Sequence, residues 1–241
     1  MDVLAISVHP DDETLGCGGT LLRHRSEGDS VHWLIASQAH PPQWSQEVID
    51  LKAVEVTTVA AAYSAHTVHK LGFPTIRLDT VPLAEVIDAI RKVVERIRPA
   101  IVYLPHYGDV HTDHHVTFVA TLSVLKAFYM RELGVRRILS YETLSSTEAA
   151  APLQFRAFVP NVYVEITRHI DRKIEIMGMY GSESQPDPLP RGAQAIRALA
   201  RFRGASVGVE YAEAFTLVRE VLAAGCESRS SDSEQAGMPR L

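Results

Sequence analysis

The chain has 241 residues, 46% hydrophobic and 22% charged, with 24 basic against 29 acidic side chains and a net charge of −5. This excludes the basic surface of a nucleic-acid binder and, with no stretch of about 18 apolar residues, a membrane span. Two cysteines, Cys17 and Cys226, are no disulfide framework, and the start MDVLAISVHPDDE has no basic leader, so a cytoplasmic protein is expected.

Residues 3–8 (VLAISV) form a continuous apolar run, as in a strand buried on both faces. A helix over 12–25 follows, with acids in its first turn, and a second strand over 31–36. A helix is predicted over 44–62, with Val48, Leu51, Glu55 and Val59 on one face. Residues 68–71 read as a weak strand. Leu83, Val86, Ile87, Ile90, Val94 and Ile97 form the clearest helical stripe, stopped by Pro99. Then come a strand over 100–104, a helix over 112–131, strands over 138–142 and 162–166, and helices near 171–180 and 192–202. Residues 214–218 read as a short strand or part of a helix. This alternation predicts an α/β fold, Rossmann-like, with a mostly parallel sheet flanked by helices in a single domain over 1–226. The polar tail 227–241 is predicted to be disordered, and the turn-rich stretch 181–192 to be a surface loop.

Ligands of an open parallel sheet bind beyond the carboxyl ends of its strands. His9, Asp11 and Asp12 lie there, directly after the first strand. Gly16, Gly18 and Gly19 loosely suggest a dinucleotide-binding turn, but HPDDET intervenes and three carboxylates would repel a pyrophosphate; the glycines are read as close packing of helix on sheet. A second cluster, HYGDVHTDHH at 106–115, holds four of the eleven histidines and follows the strand at 100–104. Histidine nitrogen with carboxylate oxygen is a ligand set that suits catalytic zinc.

SVHPDDE closely resembles the HPDDE signature of the PIG-L/LmbE-like zinc-dependent N-deacetylases, and HTDH at 111–114 resembles that family's HxDH signature, with Asp109 in a DxHxDH extension. Weaker likenesses run through LGFP at 71–74, Lys173, Tyr180, Ser184 and Gln185 in a K…Y…SQ pattern, and RFRGASVGVEYAEAF at 201–215. The family fold is Rossmann-like.

The resemblance implies one zinc ion per chain on His9, Asp12 and His114. It implies Asp11 as general base activating water, His111 as general acid or oxyanion stabiliser, and Asp113 orienting a catalytic histidine, taken as His111 and held protonated. Asp109 is expected behind the metal site or on a substrate hydroxyl, and Ser184 and Gln185 at the substrate. Lys52 stands where many relatives carry a substrate-touching arginine; lysine lacks that residue's planar fork. The implied substrate is a small N-acetylated amino sugar or N-acetylglucosamine conjugate, with homo-oligomers common among relatives. Two other readings stay open: an amidase on a larger N-acyl or thiol conjugate, and a catalytically silent metal-binding or partner protein. His111 and a protonated Asp11 are both candidates to protonate the leaving amine. Glu13, Cys17, His106, His115 and Glu55 are read as structural, and the 181–192 loop as a substrate gate.

Overall fold

The structure, a computed structural model, describes residues 1–222. Cys226 and the tail predicted disordered, 227–241, lie outside the described residues, as does the predicted domain end at 226. Seven strands form one sheet in the order β3-β2-β1-β4-β5-β7-β6. They are β1 (Asp2–Ser7), β2 (Ser30–Gln38), β3 (Thr67–Pro74), β4 (Ile101–Pro105), β5 (Arg137–Tyr141), β6 (Val162–Glu165) and β7 (Ala212–Glu220). The first five run parallel, and β7 pairs antiparallel with both β5 and β6.

The helices are α1 (Asp12–Ser26), α2 (Gln46–Ala62), α3 (Leu83–Ile97), α4 (Thr112–Val124), the short α5 (Ala127–Met130), α6 (Ile170–Met177) and α7 (Ala193–Ala205). They cover the sheet on two faces. Leu15, Trp33, Val56, Val59, Tyr103 and Tyr141 belong to one core, and Leu4, Ile6, Leu34, Val86, Ile90 and Leu104 to the other. Alternate residues of β1 thus feed opposite cores, which is why its sequence is apolar without a break.

Three expectations shift. The predicted face of α2 rotates: Leu51 is exposed, while Glu55, Val56 and Val59 are the buried residues. The helix expected over 112–131 breaks after Val124, where the Arg219 side chain takes the Leu125 carbonyl (2.9 Å). The uncertain segment 214–218 is the middle of β7, a nine-residue strand.

α1 is bent at Cys17, whose φ of −140° is not helical. The freed N–H groups of Gly19 and Thr20 are taken by the buried Glu213 carboxylate (2.8 and 2.7 Å), which also pairs with the buried Lys173 (2.6 Å). Close packing accounts for Gly16, where a Cβ would fall 2.0 Å from the Tyr141 ring. No helix among the described residues is long and apolar enough to cross a membrane.

Candidate functional site

The chain order reverses at the junction of β1 and β4, which places the turns after these two strands side by side at one edge of the sheet. The first turn carries His9, Asp11 and Asp12, and the second leads through Asp109 to His111, Asp113 and His114. Both motifs border one cavity of about 410 Å³, lined by His9, Asp11, Asp12, His111 and His114 on its floor.

Asp12 is fixed first. One of its oxygens, Oδ2, accepts the N–H groups of Val8 (2.9 Å) and His9 (2.8 Å). That oxygen lies 3.7 Å from His9 Nδ1 and 3.4 Å from His114 Nε2. The opposite nitrogens of the two rings turn to carboxylates: His9 Nε2 is 3.5 Å from Asp113 Oδ2, and His114 Nδ1 is 3.2 Å from Asp109 Oδ2. None of these four contacts has hydrogen-bond geometry, and His9 Nε2 and both His114 nitrogens are buried without a partner. Buried polar atoms are normally satisfied, and two imidazoles backed by carboxylates around a third carboxylate form the usual outer frame of a metal site. The donor set therefore fits a divalent metal. A second group, His24, Glu27 and Asp29, does not: both His24 nitrogens are already taken, by Asp29 (2.7 Å) and Tyr103 (3.0 Å).

His111 competes for a place, because nitrogens of His9, His111 and His114 lie within 4.8 Å of one another. It differs from the other two in its environment. It caps the N-terminus of α4, where its Nδ1 accepts the Asp113 N–H (3.2 Å). Nδ1 is therefore unprotonated, and the neutral ring presents an Nε2–H donor. Burial, with His9 and His114 close by, lowers its pKa to about 4.

This changes one expected role and decides between the two placements expected for Asp109. The Asp113 carboxylate does not hold His111 protonated; it accepts the N–H groups of Ile76 (2.7 Å) and Leu78 (3.0 Å) and faces His9. Asp109 does not line the cavity. It sits behind His114, taking the hydroxyls of Ser146 and Thr147 (2.8 Å each) and the His111 N–H (2.8 Å).

Asp11 stands beside this group with a φ of +137°, a strained value for a residue with a Cβ. The buried Glu13 braces it, accepting the Asp11 N–H (3.3 Å) and the hydroxyls of Thr14 (2.6 Å) and Tyr180 (2.7 Å). Burial raises Glu13 to about 7. Burial also raises Asp11 well above the carboxylate range, helped by Asp12 and Glu183 and opposed by Arg191. Burial alone would raise Asp12, but His114 and His9 outweigh it and hold this carboxyl far below its ordinary range. For His114 burial acts downward, and Asp12 and Asp109 push it up to about 10.

Arg191 was not singled out by the sequence. Its guanidinium bridges Asp11 Oδ2 (3.1 Å) and Glu183 Oε2 (2.6 Å), and both Arg191 and Glu183 line the cavity. Ser184 and Gln185 do not: Ser184 N–H bonds the Tyr180 carbonyl (2.7 Å), and the Gln185 side chain accepts the Arg191 N–H (3.3 Å), closing the loop. Lys52 borders the cavity with its amine in an ion pair with Glu183. Glu55 receives the Ser182 N–H and hydroxyl (2.8 Å each), so α2 anchors the start of the loop. His106 bonds the Arg156 carbonyl (3.0 Å), and the His115 ring packs 4.2 Å from that of Tyr107.

The sequence model of the family described as PIG-L, GlcNAc-PI de-N-acetylase, matches residues 4–125. Diacetylchitobiose deacetylase of Thermococcus kodakarensis is 26% identical over 231 residues, 90% of this chain and 82% of its own. Among solved structures, the conserved protein TT1542 of Thermus thermophilus superposes with a TM-score of 0.72 at 28% identity, over 93% of this chain and 97% of that one. GalB, the 4-carboxy-2-hydroxymuconate hydratase of Pseudomonas putida, has a TM-score of 0.70 at 17% identity, covering 93% and 98%; that likeness concerns the fold alone.

Proposed function

The chain belongs to the PIG-L family of GlcNAc-PI de-N-acetylases, and from that premise we propose that it is a metal-dependent hydrolase removing the acetyl group from the nitrogen of an amino sugar or N-acetylglucosamine-type conjugate. The observation that carries this reading is the convergence of His9 Nδ1 and His114 Nε2 on Asp12, with Asp11, held by Arg191, beside them at the same cavity.

His9, Asp12 and His114 would hold one zinc ion. Asp12 is preferred over His111 as the third ligand because it lies near both ring nitrogens and brings the negative charge that offsets a dication. When bound, the metal polarises the amide carbonyl and brings the pKa of water toward ~7. Asp11 accepts the proton of the attacking water, which an adjacent carboxylate can do when it is not itself a ligand. Arg191 aims that base and opposes the burial that favours its protonated form. His111 donates its Nε2–H to the substrate oxygen as negative charge grows there, a contribution typically worth ~10²–10³ in rate. A neutral ring whose Nδ1 is engaged has no second proton to give, so Asp11 returns its proton to the leaving amine. Asp113 and Asp109 orient His9 and His114.

Asp11→Ala tests the assignment. The variant should retain its zinc and lose acetate release from N-acetylated sugars by ~10²-fold or more. Undiminished release would remove Asp11 from the role of base.

A further inference from the structure

The turn between β3 and the short 3₁₀ helix Leu78–Thr80 contains an isoleucine in the left-handed region, Ile76, with φ +62°. Left-handed backbone is costly for any residue with a Cβ and most unusual for a β-branched one. The Asp113 clamp explains why the chain turns here, since Asp113 needs the N–H groups of both Ile76 and Leu78. It does not explain the side chain, because glycine would offer the same N–H without strain. Nor does core packing explain it, for Ile76 is 51% exposed. Ile76 lines the catalytic cavity instead. Val110, from the loop between β4 and α4, borders the same cavity and is 48% exposed. Two half-exposed aliphatic residues from separate loops thus line the cavity, and one is kept there against its backbone preference. Strain retained at a site is a pointer to function.

We propose that Ile76 and Val110 form an apolar rim that contacts an aliphatic substituent of the substrate, carried on the sugar's glycosidic oxygen or on its acyl nitrogen. This rests on the amino-sugar reading above and adds selectivity to it. Free N-acetylglucosamine offers the rim little, whereas a substrate with an alkyl arm covers both side chains. Burial of such an arm is worth tenfold or more in affinity for a few methylenes.

The test uses the zinc-loaded full chain and three ligands: methyl N-acetylglucosaminide as reference, octyl N-acetylglucosaminide below its micellar concentration, and methyl N-hexanoylglucosaminide. Affinities are measured calorimetrically in an Asp11→Ala background, where turnover is too slow to disturb the titration, on chains with the wild-type rim, Ile76→Gly and Ile76→Ala; melting temperatures are taken alongside. The wild-type rim should bind one alkylated ligand at least about tenfold tighter than the reference, and which one identifies the position of the substituent. Ile76→Gly should cut the preference below about threefold while raising the melting temperature by ~2–3 °C through release of strain. Ile76→Ala keeps the Cβ and its strain, so it should lose the preference with no gain in melting temperature. The proposal is overturned if the wild-type rim shows no preference, if both variants keep it, or if Ile76→Gly melts several degrees lower. Acetate release from the reference sugar is scored separately, on the chain with Asp11 intact. Its absence with the preference intact counts against the deacetylase reading and leaves the rim standing; release without preference counts against the rim alone.

Discussion

Replacing Glu213 with alanine perturbs the fold behind the site without touching the cavity floor. The carboxylate is 4% exposed and holds three partners: Lys173, equally buried, and the N–H groups freed where α1 bends. Removing one member of a buried ion pair costs about 3–5 kcal/mol, because the other charge stays behind without its countercharge. Each buried N–H left unpaired adds about 1–3 kcal/mol, less where water can enter. The total, at least about 5 kcal/mol, is comparable to the whole stability of many domains, about 5–15 kcal/mol. Urea unfolding followed by circular dichroism should show a midpoint shifted far down or no folded baseline. The double variant Lys173→Met, Glu213→Leu removes both charges and should recover only the ion-pair share, since the Gly19 and Thr20 N–H groups remain unsatisfied. A loss under about 1 kcal/mol for Glu213→Ala, or a double variant no better than the single one, would refute this account of the bend.

Two further outcomes follow from the site. Arg191 opposes the burial that raises Asp11, so in Arg191→Ala the base holds its proton to higher pH, and the acid limb of the kcat/KM profile should move upward; an unmoved limb would detach Arg191 from the base. Asp113→Asn keeps an acceptor for only part of the Ile76 and Leu78 clamp and loses the carboxylate facing His9. It should melt lower and bind zinc about 10–100-fold more weakly, and unchanged zinc affinity in competition with a chelator would contradict its link to His9.

The parts of the site legible in the sequence are those built within one turn of chain. HPDD and HTDH each set three functional groups within four residues, the first directly after an apolar run that reads as a buried strand and the second six residues beyond another. The parallel half of the sheet was equally plain for this reason. β7 was not, because Glu213 interrupts its apolar pattern; that glutamate is buried to serve α1, and nothing local announces its partners. Arg191 reaches Asp11 across 180 residues of chain from a loop that reads only as turns. The expected role of Asp113 departs from the structure for a related reason. Sequence adjacency suggested that Asp113 served His111, but at the start of a helix it is the Asp113 N–H that points back to His111, which leaves the carboxylate to face the other strand's histidine.

Metal content of four variants after identical loading tests the central claim most directly. With one zinc per wild-type chain by mass spectrometry of the elements, His9→Ala, Asp12→Ala and His114→Ala should each retain little, while folded His111→Ala keeps its full complement. Zinc lost from His111→Ala and retained by Asp12→Ala would contradict the ligand set and the division of labour built on it.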